Sequence, residues 1–539
     1  MKKKIIGIVV CMLMIATAVL PVVGNINIEK IINIKSIDNV KVKLDQKNLV
    51  IPNSGLNPLS WSDIELVSTG ANGDSYASVI AVDSWGTVHI VWMDDTDNYV
   101  PGSGIDIDIF YISRSRCGSW SSPELVSTNS NDYSYVPSIA VENSPAGPVV
   151  NVVWTEYNPS PSILHGILYN RRDSTGSWLP TGPELVSIAT DCMGCFGALA
   201  VQPDGTVHTV WWDDTSGGWD VMYNMRGPGV TGSWLPGGPE IVSDDLVNRW
   251  SVDPSLDVEP NGIVHVVWDY DTGGNDWKVY YNYRDSTGNW QPNSEMIFPS
   301  ASYPAFPFIA VDASGIPHVV WCEIGYLYCN ILYSYRKDAV TGWLATPEIV
   351  GSASSIYFNL DVDTTNTVHV VWQYLEDIYY NKRDPSNGNW GATPVLISVG
   401  STEFSEVPFL TVEAGGTVHI TWTDEHDYGG VTGPDLDVFY IRGGGTDYYS
   451  VGPGRIIAIG IGNVNRAAGN YCLSGLGFLW FKGISSGGPS FVHFPPAFQW
   501  TEGQFTPGSF VGFCKQIGSI VFIFGRLRSG GTISGTSYS

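Results

Sequence analysis

The apolar positions of this chain fall into short runs, each bounded by Gly, Pro, Asn, Asp or Ser. Runs of that length and punctuation read as strands joined by tight turns. One run recurs: TVHIVW ends at Trp92, VVNVVW at Trp154, TVHTVW at Trp211 and IVHVVW at Trp268. It returns as IPHVVW at Trp321, TVHVVW at Trp372 and TVHITW at Trp422. Successive tryptophans stand 50 to 62 positions apart, a period that fits propeller blades. Around each VHVVW-type run lie three more apolar pieces, so each unit predicts four strands. SIAVE (138–142) exemplifies the first, DIYYNKR (377–383) the third, and the stretch from Trp178 through PELVS to Ser187 the fourth. Alternation is blurred in the second strand, as expected when both faces of a sheet are covered by neighbours.

The fourth piece sets how the array closes. It occurs as IELVS (64–68), ELVS (124–127 and 184–187), EIVS (240–243), EMIF (295–298), EIV (348–350) and VLIS (395–398). The first copy precedes any VHxxW run, and the last unit, ending DVFYIRGGG, has none of its own. An N-terminal strand can therefore complete the final blade and remove the open edges. The expected fold is all-β: a seven-bladed β-propeller over residues 59–448, closed by an N-terminal strand that includes Trp61.

Beyond the repeat the composition changes. Residues 1–24 carry three lysines and then a long apolar run ending in small residues, which reads as an export signal. Residues 25–58 read as a linker, and residues 449–539 as a small Gly-rich C-terminal β-domain. The expected location is secreted or cell-surface, with no membrane span once the signal is removed, and a monomer is expected. A formal net charge of -26 disfavours nucleic acid and anionic membranes as partners. It leaves glycans and cell-surface proteins as the expected partners.

The turn between third and fourth strands reads RDSTGSW (172–178) and RDSTGNW (284–290). It resembles a degenerate Asp-box of the sialidase-like, or BNR-repeat, β-propeller superfamily, with Asp173, Gly176 and Trp178 or Asp285, Gly288 and Trp290 at the matching places. The resemblance covers the propeller and implies its fold; as activity it would imply glycoside hydrolysis. Sialidases of that superfamily clamp a substrate carboxylate with three arginines on one face. Here Arg114, Arg171, Arg172, Arg226, Arg284, Arg336, Arg383 and Arg442 all lie near the ends of third strands, towards the opposite face. Only Arg249 falls in an expected binding-face loop, so sialic acid is not the expected substrate.

Three residue classes invite chemistry. His89, His208, His265, His318, His369 and His419 occupy one equivalent position on six blades, which spreads them round a ring and favours a core role over a metal site. The acids after the repeat tryptophan are less uniform. Asp94, Asp95 and Asp97, or Asp424, Glu425 and Asp427, are weak Ca²⁺ candidates, though no loop matches a calcium-loop pattern and no cofactor is otherwise expected. Tryptophan gives the sharpest asymmetry. Trp212, Trp219, Trp250 and Trp277 lie outside the repeat positions, in or beside the loops of blades three and four. With Asp213, Asp214, Asp269, Asp271 and Arg249 they form the candidate ligand site, since aromatic faces stack on sugars and carboxylates accept hydroxyl hydrogen bonds. Cys322 with Cys329, Cys472 with Cys514, and Cys192 with Cys195 are candidate disulfides of an exported chain. The leading expectation is a non-catalytic glycan- or protein-binding propeller; the alternatives are a glycoside hydrolase and a structural surface protein.

Overall fold

The computed structural model describes residues 61–444 with their side chains, short loop segments excepted, and backbone strands between residues 455 and 527. Among the described residues there is no helix. Blade one comprises Ser75–Val82, Val88–Asp94, Asp108–Arg114 and Glu124–Leu125, hydrogen-bonded antiparallel in that order. Blades two and three begin at Ser134–Ser144 and Ala198–Val201 and end at Glu184–Leu185 and Glu240–Ile241. Blade four is Ser251–Val258, Val264–Asp271, Trp277–Arg284 and Glu295–Met296. Blades five and six open with Tyr303–Val311 and Phe358–Val362, and blade seven with Ser405–Val412, Thr417–Asp424 and Asp437–Gly444. The missing outer strand of blade seven is Glu65–Leu66, with Glu65 opposite Tyr440 and Leu66 opposite Phe439. The chain is a seven-bladed β-propeller.

First strands of successive blades touch in sequence, and that of blade seven returns to blade one, so they line the axis. The second strands are buried along their whole length on both faces, which is why the VHVVW runs lack alternation. One aromatic pair repeats at every junction. A third-strand tyrosine meets, edge to face, the tryptophan that opens the fourth strand of the next blade. The pairs are Tyr111–Trp178, Tyr169–Trp234, Tyr223–Trp290, Tyr281–Trp343, Tyr333–Trp390, Tyr380–Trp61 and Tyr440–Trp120, with centroids 5.1–5.6 Å apart. Each such pair contributes about 0.5–1.5 kcal/mol beyond its buried area. Trp61 thus binds the closing strand to blade six as well as to blade seven.

The arginines complete these junctions. Arg172, Arg226, Arg284, Arg336 and Arg383 reach back 2.7–3.0 Å to Glu124, Glu184, Glu240, Glu295 and Glu348 of the preceding fourth strand, and Arg114 pairs likewise with Glu65. The guanidinium also lies over the junction tyrosine, as Arg172 does over Tyr111. These six arginines therefore tie neighbouring blades together.

Two elements differ from the sequence reading. The fourth strand is only two residues in most blades, and its tryptophan forms an isolated bridge instead, as Trp178 does with Arg172. First strands begin earlier than the SIAVE piece and carry a bulge in five blades, at Tyr76/Val79, Tyr135/Ser138, Val252/Ser255, Ala305/Phe308 and Glu406/Phe409. The bulged residues Ala77, Val136, Asp253, Phe306 and Val407 all have φ between 50° and 57°, a region that L-residues disfavour.

Beyond Gly444 the described backbone forms a six-stranded antiparallel sheet. Its order is Ser490–His493, Gly477–Lys482, Arg455–Gly460, Ile520–Leu527, Phe510–Ile517 and Gly503–Phe505. A separate hairpin pairs Asn463–Ala467 with Asn470–Ser474. Cys472 lies on the hairpin and Cys514 on the sheet; their side chains, like Cys192 and Cys195, the signal at 1–24 and the linker at 25–58, lie outside the described residues. Cys322 and Cys329 do come to disulfide distance, with Cα atoms 5.7 Å apart, where they close the hairpin of blade five.

Candidate functional site

The repeated polar residues have structural work. In each of six blades the histidine Nδ1 lies 2.7–2.8 Å from a third-strand tyrosine hydroxyl, as His89 does from Tyr111 and His419 from Tyr440. Its Nε2 lies 2.8–3.4 Å from Asp83, Gln202, Glu259, Asp312, Asp363 or Glu413 in the turn before the second strand. Burial pushes His208 down to about 4, so it stays neutral at ordinary pH. In blade two Asn151 replaces the histidine and accepts the Tyr169 hydroxyl at 2.7 Å.

The acid two residues after the repeat tryptophan is also part of the frame, which corrects its assignment to the loops. Asp94, Asp213 and Asp424 end their second strands and are buried. Each accepts the indole N–H of its own tryptophan at 3.0 Å. Asp94 and Asp424 also accept the hydroxyls of Ser75 and Ser405 at 2.6 Å. Glu156 does the same in blade two, and burial pushes it up to about 7. Of the calcium candidates, Asp94 and Asp424 are thus engaged in the frame. Asp95 caps the Asp74 N–H at 2.8 Å, Asp97 and Glu425 are exposed, and Asp427 lies outside the described residues. Among the described residues no group of three His, Cys, Asp or Glu is placed to hold a metal ion.

Blade six lacks this acid, with Tyr374 in its place, and blade four displaces it. Its second strand reads VHVVWDYD, so the acid follows the tryptophan by one residue and Tyr270 takes the usual acid position. Strand side chains alternate faces, so a shift of one carries Asp269 to the other side of the sheet. Two consequences are visible. The Trp268 indole N–H has no partner, and one carboxylate oxygen of Asp269 has none either, although the residue is only 2 % exposed. The other oxygen accepts the N–H of the bulged Phe306 at 2.7 Å.

Opposite Asp269 stands the bulge of the first strand, where Val252 pairs with Asp269 and Asp253 follows. Asp253 keeps some solvent-facing surface although protein surrounds it closely. Burial pushes its carboxyl up to about 7. Burial first, and repulsion from Asp253 second, hold Asp269 well above the usual carboxylate range. The pair thus resists carrying two charges.

The four non-repeat tryptophans converge beside this pair. Ring centroids run 4.8 Å from Trp212 to Trp219, 4.9 Å from Trp219 to Trp250, 6.2 Å from Trp250 to Trp277 and 5.8 Å from Trp277 to Tyr303. Val252 packs against the same cluster. Backbone bonds fix the two middle rings: Ser251 N–H donates to the Trp219 carbonyl at 2.6 Å, and Asp271 N–H to the Trp250 carbonyl at 2.9 Å. The rings are not equivalent, however. Trp212 and Trp277 are 4 % and 2 % exposed and belong to strands, so they back the site rather than face a ligand. Trp219 and Trp250 are half-buried and nearly parallel, at 29°, and present the accessible surface. Both backing indoles leave their N–H groups unpartnered.

Asp271 is half-buried beside Trp277 in register, Asp214 is exposed, and Asp213 belongs to the frame. Arg249 lies outside the described residues. Sequence reasoning missed Asp253 and Tyr303; the displaced acid in WDY, and an Asp where SYVP and SEVP carry Val, were the signals available.

No family model matches the chain, and no curated protein matches it. Solved structures do resemble it. An α-L-arabinanase of Penicillium chrysogenum is 12% identical, with 70% of this chain and 96% of that one covered and a TM-score of 0.39. An α-L-arabinofuranosidase of Fusarium graminearum is 12% identical over 71% of this chain and 97% of that one, with a TM-score of 0.42. A Trypanosoma rangeli sialidase is 9% identical over 68% and 71%, with a TM-score of 0.38.

Proposed function

We propose that this is an exported, carbohydrate-binding propeller whose site is the aromatic ladder of blades three to five. The observation that carries the reading is the ladder with its orphaned polar atoms. Two half-buried parallel indoles offer stacking faces, and around them the Trp212 and Trp277 N–H groups and one Asp269 oxygen lack partners. Buried polar groups are rarely left unpaired. A partner that lies flat on indole faces and donates to a carboxyl is a sugar ring with its hydroxyl groups. A second reading, glycoside hydrolysis, is favoured by the Asp253–Asp269 pair, because a carboxyl that keeps its proton beside another carboxyl suits acid–base work.

Isothermal titration against neutral polysaccharide fragments tests the binding site. Trp219→Ala and Trp250→Ala should each weaken binding tenfold or more, whereas Trp85→Ala, at an exposed site outside the ladder, should leave it unchanged. Equal binding by all three variants would sink the site. Turnover of the bound fragments, lost in Asp269→Asn, would move the protein from the first reading to the second.

A further inference from the structure

Among the described residues the carboxyl pair, Asp253 and Asp269, has no cationic partner. The nearby Lys278 is held by Asp276 and by the Trp277 carbonyl at 3.0 Å. Other acids of the first strands are differently served. Asp257 accepts the Val311 N–H at 2.7 Å and Asp361 the Val412 N–H at 2.8 Å, each satisfying the inner strand of the next blade. Asp269 makes one such bond and still keeps a sealed, unpartnered oxygen. Buried carboxyls in that situation either hold protons or await a positive charge. The wall beside them is built of tryptophan faces, which attract cations through their electron-rich centres.

We propose that the ligand is an amino sugar, an oligosaccharide whose free ammonium group seats against Asp253 and Asp269 while its rings lie on Trp219 and Trp250. This rests on the carbohydrate-binding reading of the site. Asp253 has solvent-facing surface, so it makes the direct contact, and Asp269 stands behind it with its unpartnered oxygen. Trp250 and Asp253 stand three positions apart as the chain enters the bulge, roughly 10 Å at most, which leaves room for more than one pyranose ring. A chain of sugars therefore fits the span better than a monosaccharide. Anionic sugars are disfavoured by the same carboxyls, and N-acetylation would remove the charge that the pair recognises.

Three β-1,4-linked hexamers of matched backbone separate the cases: glucose, N-acetylglucosamine and glucosamine. Titrated into the full chain at pH 7, the glucosamine hexamer should bind at least tenfold more tightly than the other two. Asp253→Asn and Asp269→Asn should erase that preference, so that within each variant the glucosamine hexamer binds no more tightly than the glucose hexamer. A preference that survives both substitutions would overturn the proposal, because it would reflect general attraction to a protein of net charge -26. Equal binding of the three hexamers, with Trp219→Ala still harmful, would overturn the amino-sugar assignment alone. No binding of any hexamer would count against both this assignment and the carbohydrate site beneath it.

Discussion

A single position, two residues after the repeat tryptophan, shows how a residue can look like chemistry and serve as frame. At Asp94, Asp213 and Asp424 the carboxylate takes the indole N–H of its own tryptophan, so the pair WxD is a structural unit. The histidine three places before the same tryptophan is equally occupied, bridging a tyrosine hydroxyl and a turn acid. That bridge makes a definite forecast. His369→Leu strands the Tyr380 hydroxyl and the Asp363 carboxyl and should cost about 2–3 kcal/mol. His369→Asn should cost markedly less, because Asn151 already fills the equivalent place in blade two and bonds Tyr169. Urea unfolding of both variants checks this, and a Leu variant as stable as the Asn variant would refute the bridging role. Stability should not respond to chelators in either case.

Strands were legible where burial writes itself into sequence. The wholly apolar second strands, the tyrosine of the third and the tryptophan of the fourth are all set by packing between blades, so they recur and could be counted. First strands were only half legible. Their bulge is a backbone event that lets four residue types at five positions adopt φ near +50°, and no side-chain pattern announces it. Asp253 escapes the sequence for that reason, and Trp212 and Trp277, expected in or beside loops, lie on second and third strands that run further than the repeat motif. The bulged strand also yields a pH forecast. An unfolded aspartate ionises near pH ~3.9, whereas Asp253 in the fold is pushed up to about 7. Between those values the folded protein keeps a proton that the unfolded chain has lost, so stability falls as pH rises through that window and is level above it. Asp253→Asn abolishes this loss. Asparagine also tolerates the left-handed backbone there. The variant should match the parent at pH 4 and exceed it at pH 8 by about 1–3 kcal/mol, measured by chemical denaturation at both pH values. Equal stability at pH 8 would mean that Asp253 is not held in its protonated form.

At the scale of the molecule, function depends on closure. The ladder draws rings from blades three, four and five, so its geometry requires that those blades keep their angles round the axis. The junctions that fix those angles form a ring of seven tyrosine–tryptophan pairs, and one of the seven is made by Trp61. The Arg–Glu clamp is lost at that same junction, since Val395 stands in blade six where other fourth strands carry glutamate. The contacts of Trp61, Ile64 and Leu66 with the cluster around Tyr380 and Phe439 therefore carry the closure. Removing residues 1–67 should expose the edge of Asp437–Gly444, lower the melting temperature and promote self-association through the unpaired strand. Removing only residues 1–58, the expected signal and linker, should leave the melting temperature unchanged. A synthetic peptide of residues 59–69 added to the longer truncation should pair with the open edge and restore a monomer, read by light scattering. If the longer truncation melts like the full chain and stays monomeric without the peptide, blade seven is held by something other than its borrowed strand.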